Sequence, residues 1–321
     1  MYKMRVVVSF TTVPGRIRHL PDFILMLSQR ICPHVNAIYF CQPLLSLKKI
    51  PYNIPEETQV LLKKHNITTL HCKDYGPITK LLPTLEVETD PDTVIVTIDD
   101  DVILTEGTLQ NILHKARIYD ECALSYTGWK TGPSLWTFEF LTNQKIDQSV
   151  DWIEGQSLIA YKRKFLQGTE LLKLTQMVDW GLRHDDHILN WHLSNQLIDK
   201  KVIALPEHCA IIKSHSAYVD SISGNVLKFI LEVCKISTYL RKKGVYGNLP
   251  ICWSQCFVLE ILFSFVCVGF LVSAIIAKKK HWAGGLTLLL IGLTIHLGVT
   301  FKSELKYVCG QKFAKYLFWL K

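Results

Sequence analysis

The chain of 321 residues weighs 36.8 kDa, is 49% hydrophobic and 20% charged, and has a mean hydropathy of +0.18. Those figures exclude a disordered, collagen-like or mucin-like protein. The formal charge of +8 comes from 36 Lys+Arg against 28 Asp+Glu, but residues 251–321 hold eight basic and two acidic side chains, so the part before Pro250 is nearly neutral and the excess is no nucleic-acid footprint.

Strand-like and helix-like segments alternate from the start. Arg5–Phe10 is a short apolar run that ends in the turn-rich Thr11-Thr12-Val13-Pro14-Gly15-Arg16. Residues 21–31 read as a helix with Pro21 in its first turn and Phe23, Ile24, Leu27 and Ile31 on one face. Ala37–Cys41 is a second strand, closed by Pro43; a helix over 56–65 leads to a third strand over 67–72. Residues 77–88 read as another helix, with Pro83 starting or kinking it. Thr93–Ile98 is the clearest buried strand of the chain. This order predicts an α/β fold, a mostly parallel sheet with helices on both faces. Ligands of such sheets bind beyond the carboxyl ends of the strands, here after Phe10, Cys41, Cys72 and Ile98.

The last of these positions carries Asp99-Asp100-Asp101. Three adjacent carboxylates repel one another unless something positive compensates them. Alternation off an extended strand end lets Asp99 and Asp101 face one ligand while Asp100 turns away. Hard oxygen donors of this kind suit Mg²⁺ or Mn²⁺, with phosphate oxygens completing the shell. Glu154-Gly155 follows between two strand-like runs, where a glycine after an acid points to close backbone approach. Asp185-Asp186 opens a helix expected over Asp185 to Gln196; one acid suits the helix N-terminus, and the other is placed to act as a general base. His215 closes a short strand, Cys209 to Ser214. Thr11, Arg16 and Lys80 stand at the mouths of strand–helix turns, where positive charge would meet a phosphate or a base.

The C-terminal part is different in kind. Phe257 to Ala277 and Ala283 to Phe301 are apolar runs of 21 and 19 residues, joined by Lys278-Lys279-Lys280-His281-Trp282. As helices each covers roughly 28–32 Å, the thickness of a bilayer core. The loop carries three lysines and the flanks carry more, which predicts a hairpin anchor with the N-terminal part on the cytoplasmic side. Tyr307 to Lys321 mixes lysines with aromatic residues, as an interfacial helix does. The ten cysteines show no C-x-x-C pair and no zinc spacing, in keeping with a reducing compartment.

Taken together, Val6–Phe10 with Thr11-Thr12-Val13-Pro14-Gly15-Arg16-Ile17, Tyr75–Leu81, Val94–Ile98 with Asp99-Asp100-Asp101, Glu154-Gly155 and His184-Asp185-Asp186 resemble the GT-A fold of nucleotide-sugar glycosyltransferases, in the group similar to family 2. The resemblance covers roughly residues 3–220. It implies a DXD motif in which Asp99 contacts the nucleotide or the metal and Asp101 coordinates Mn²⁺ or Mg²⁺ on the donor diphosphate. It implies that Thr11, Arg16, Lys80, Asp99, Asp100, Glu154 and Gly155 line the donor site. Asp186, or else Asp185, would match the catalytic base of inverting members, and His215, with His208 as competitor, would close the metal site. The partners implied are a nucleotide-diphosphate sugar donor, a glycan, glycoprotein or lipid-linked acceptor and a membrane, without nucleic acid. The expected organisation is a catalytic domain over 1–225, a linker over 226–256, transmembrane helices over 257–277 and 283–301, and a tail over 302–321. A membrane-anchored nucleotidyltransferase and a catalytically silent nucleotide-sugar-binding protein are the alternatives. A phosphatase reading of the D-x-D fits less well, because Ile103 stands where Thr or Val is expected and the strand is the fourth.

Overall fold

The computed structural model describes residues 4–131, 138–155, 158–176 and 185–214, which belong to one compact unit. The expected linker, both membrane helices, the tail and His215 lie outside the described residues. Among the described residues, no helix is long and apolar enough to cross a membrane.

An eight-stranded sheet organises the unit. Its parallel half consists of β1 (Val6–Phe10), β2 (Ala37–Pro43), β3 (Ile67–Cys72) and β4 (Val94–Ile98), in the order β3-β2-β1-β4. In β1 and β4 every residue is buried, as uninterrupted apolar runs in a sheet covered on both faces must be. The sheet continues beyond β4 through β11 (Leu158–Lys162), β6 (Cys122–Ser125), β12 (Asp199–Val202) and β9 (Gln148–Val150). The sheet is mostly parallel, as expected, and its antiparallel pairs all lie in this second half. β11 runs antiparallel to both β4 and β6, β12 is parallel to β6, and β9 is antiparallel to β12. The first half is built from βαβ crossovers, which give parallel pairing, whereas in the second half β11 enters reversed between β4 and β6 and β9 pairs antiparallel at the edge.

Helices cover both faces. α1 (Leu20–Arg30), α2 (Glu56–Lys64) and α4 (Thr108–Ile118) pack with Val6, Val8 and Phe10 on one side. α3 (Leu82–Val87), α5 (Gly168–Gln176) and α6 (Asp185–Asn195) pack with Val7 and Ile95 on the other. The two-residue pleat of β1 thus feeds two separate cores. Phe10 lies 5.1 Å from Phe23, edge to face, and 5.1 Å from Phe40, stacked; each such pair adds about 0.5–1.5 kcal/mol beyond the area it buries.

The helix expected over 77–88 is instead two pieces. A 3-10 turn spans Ile78–Lys80, and α3 begins afresh at Leu82 with Pro83 in its first turn. Pro83 has no N–H to bond back into a preceding turn, so the chain restarts there. The break leaves the Lys80 carbonyl open to accept from the buried Ser9 hydroxyl of β1. That bond holds Lys80 against the end of the parallel strands. Two small ladders complete the unit: β7 (Thr127–Thr131) between β8 (Phe138–Thr142) and β10 (Trp152–Ile153), and β5 (Val102–Leu104) with β13 (Ile211–Lys213).

Candidate functional site

The acidic triad lies in a turn between β4 and β5, at the carboxyl ends of the parallel strands. Because the chain turns there, strand alternation does not extend into the triad, and the expectation that Asp100 points away from its two neighbours needs correction: Asp100 and Asp101 both reach Arg16, while Asp99 reaches elsewhere. Arg16 Nη1 lies 2.7 Å from Asp100 Oδ1 and 3.4 Å from Asp101 Oδ2. The Thr12 hydroxyl donates to Asp100 Oδ2 at 2.5 Å, and Lys213 Nζ lies 3.2 Å from Asp101 Oδ1. Burial pushes the Asp100 carboxyl above its ordinary value despite the opposing pull of Arg16 and Thr12. Burial also works against the Arg16 guanidinium, but Asp100 and Asp101 outweigh it and keep its pKa raised. Arg16, expected to meet a phosphate, is therefore already neutralised by protein carboxylates. Thr11 donates to the Cys41 carbonyl at 2.8 Å, which ties the end of β1 to β2.

Lys80 is the hub of a second cluster. Its side chain is only 8% exposed, and its ammonium lies 2.7 Å from Asp99 Oδ1 and 3.0 Å from Asp185 Oδ2. Burial disfavours the charged lysine, yet Asp185, Asp99 and Asp186 overcome that and hold its pKa well above the ordinary lysine value. The triad and the acid pair of α6, far apart in sequence, thus meet on one cation.

Asp186 faces the Glu154-Gly155 turn. Its Oδ1 accepts the Gly155 N–H at 2.9 Å. A Cβ at Gly155 would come within 2.8 Å of that same oxygen and 3.6 Å of Lys80 Nζ. The close backbone approach read from Gly155 is therefore an approach to Asp186. Burial raises the Asp186 pKa well above the usual carboxylate range, the Asp185 charge adds to this, and Lys80 only partly offsets it. Glu154 accepts from the Trp129 indole N–H. Trp152 meets His187 edge to face at 4.5 Å.

A residue absent from the sequence-based candidates holds this corner together. Asn190, fully buried on α6, accepts the Ile153 N–H at 2.9 Å and donates to the Ile153 carbonyl at 2.7 Å and the Asp186 carbonyl at 2.8 Å. It locks α6 to the strand that leads into Glu154-Gly155. A lone Asn in an amphipathic helix gives no sign of such a role, because its partner lies 37 residues away. Asn190→Ala leaves both Ile153 backbone groups without their partner. It is expected to lower the unfolding free energy by roughly 2–4 kcal/mol, read as a shift of the urea midpoint. Lys213, an added partner of the triad, was equally invisible, since lysine side chains are common at turns, and Thr12 stood in the turn after β1 without an assigned role.

The donor chemistry of Asp99 and Asp101 suits a hard divalent cation. Magnesium-type ions are often held by one or two carboxylates, with phosphate oxygens and water filling the shell. The contacts of Asp101 with Arg16 and Lys213, at 3.4 and 3.2 Å, are longer than a tight charge-assisted bond. Among the described residues, no three His, Cys, Asp or Glu side chains gather into a cage; His215 lies outside them. Ser214 donates its N–H to the Asp101 carbonyl at 2.8 Å. His208 packs against Gly107 instead, at the opposite end of the β5–β13 pair.

No protein-family model matches the chain, and no curated protein does. Among solved structures it is similar to "Crystal structure of S. aureus TarS", with a TM-score of 0.43 and 9% identity, over 74% of this chain and 40% of that one. The chain thus spans less than half the length of that structure, and a likeness at this level carries no functional reading.

Proposed function

We propose that this chain is a metal-dependent glycosyltransferase of GT-A type. It would move a sugar from a nucleoside diphosphate sugar to an acceptor hydroxyl or lipid phosphate at a membrane, with inversion. The observation that supports this best is the buried Lys80, which brings the acidic turn after β4 and the acid pair of α6 to one end of the sheet. In this reading Asp99 and Asp101 hold Mn²⁺ or Mg²⁺. The cation, when bound, supplies charge stabilisation for the departing diphosphate.

The chain's own residues divide the remaining work. Asp186 accepts the proton of the acceptor hydroxyl, and its raised pKa makes it a stronger base than an ordinary carboxylate. The Gly155 N–H fixes one of its oxygens and so orients the other. Asp185 pairs with Lys80 and keeps that cation at the site. Arg16 and Thr12 hold Asp100, which sets the turn from which Asp99 and Asp101 project.

The test is a donor screen with the purified full chain, reading released nucleoside diphosphate with Mn²⁺, with Mg²⁺ and with chelator. Release is expected only with a cation, and Asp101→Asn is expected to abolish it. Turnover that persists in the chelator or in Asp101→Asn overturns the assignment of Asp99 and Asp101.

A further inference from the structure

Between β2 and α2 the chain forms a hairpin whose tip, Leu44-Leu45-Ser46-Leu47-Lys48-Lys49-Ile50, is apolar and basic and contains no acid. The tip is closed by its own backbone. Leu45 and Pro51 form an antiparallel bridge, Ser46 donates its N–H to the Ile50 carbonyl at 2.8 Å, and Lys49 donates to the Ser46 carbonyl at 2.8 Å. The Ser46 hydroxyl accepts the Ile50 N–H at 3.0 Å. The Leu47 N–H is anchored on Asp74 Oδ2 at 2.8 Å, and Tyr52 at the base is buried.

On this fixed frame Leu44, Leu45, Leu47 and Ile50 stand 67%, 51%, 43% and 48% exposed, with Lys48 and Lys49 exposed beside them. None of the four aliphatic side chains belongs to either core. A frayed loop would show scattered exposure without a closed hydrogen-bond frame. An ordered tip that holds four aliphatic groups in water marks an interaction site. The two lysines and the lack of any acid within the tip decide the partner. Aliphatic groups enter the acyl boundary while lysines meet anionic headgroups, each lysine strengthening binding about fivefold.

We propose that Leu44–Ile50 is a membrane-inserting tip that docks this unit on an anionic lipid surface. The tip follows β2, and β1, β2 and β4 run parallel, so it stands at the same end of the sheet as the acid–lysine cluster. Docking through the tip turns that end toward the headgroups. This docking does not depend on the transfer reading, and its test needs neither donor nor acceptor.

The test is hydrogen–deuterium exchange of the full chain in detergent, in phosphatidylcholine nanodiscs, and in nanodiscs of mixed phosphatidylcholine and phosphatidylserine. Peptides across 44–52 are expected to exchange more slowly in the anionic discs than in the other two. That difference is expected to vanish in Leu44→Ser/Leu47→Ser and in Lys48→Gln/Lys49→Gln, with the thermal unfolding of each variant measured beside the parent to tell a loss of docking from a loss of fold. Equal exchange in all three media overturns the proposal, as does equal protection on neutral and anionic discs or protection that survives either double substitution. Protection in detergent that grows with protein concentration also overturns it, in favour of a second copy of this chain.

Discussion

Replacing Lys80 with Met is expected to lower the unfolding free energy by about 3–5 kcal/mol, the cost of breaking a buried ion cluster from one side. Asp99, Asp185 and Asp186 would then face one another with no cation among them. Asp99 and Asp185 are 27% and 15% exposed, so water relieves part of this and favours the lower end of the range. The pH dependence is a sharper test than the magnitude. In the parent, the raised Lys80 pKa gives stability that is complete below the ordinary lysine range and is lost only as pH rises through the higher folded value. In the variant, Asp186 loses the cation that offset its burial and the Asp185 charge, so protonation of Asp186 should shrink the deficit as pH falls. Urea titrations of both proteins over a series of pH values measure it. A midpoint unchanged at neutral pH would show that Lys80 does not neutralise the cluster.

Asp186→Asn is expected to do the opposite to stability and more to activity. Under the transfer reading, release of nucleoside diphosphate should fall by about 10²–10⁴-fold, the usual contribution of a general base. Asn keeps an oxygen to accept the Gly155 N–H, so the turn should hold its shape. The folded parent binds a proton at Asp186 at pH values where the unfolded chain has released it, because the folded pKa is raised. Its contribution is therefore most favourable below the unfolded carboxylate pKa and is lost as pH rises through the raised folded value. Asn removes that loss, so the variant should be the more stable at neutral pH. Asp185→Asn should instead destabilise, since it cuts an ion pair to a buried lysine. In the parent, the acid limb of the pH–rate profile should lie above the ordinary carboxylate range. Transfer that survives Asp186→Asn and is lost in Asp185→Asn would assign the proton to Asp185.

Much of the first half of the fold was legible from local pattern. Val6–Phe10 and Val94–Ile98 are continuous apolar runs, and such runs between helical segments declare buried parallel strands whatever surrounds them. The acids at the start of α6 were legible for a similar reason, since helix N-termini favour negative charge. The second half was not legible to the same degree. β11, Leu158–Lys162, is as fully buried as β4, and nothing in its composition tells that it enters beside β4 in the opposite direction. Pairing direction is set by the length and path of the intervening chain.

The site divides along the same line. The amino-acid order alone names the chemical groups at the strand and helix ends: the three carboxylates after β4, the glycine after Glu154, and the acid pair opening α6. Those follow from residue type and short spacing. How they are shared out depends on the folded chain. Lys80 joins Asp99 to Asp185, Arg16 holds Asp100 with Asp101, Asp186 turns onto Gly155, and Asn190 pins the helix that carries it. Charge and hydrogen-bonding capacity belong to single residues, whereas the partner that satisfies them depends on which distant segments the sheet and its two cores bring within about 3 Å.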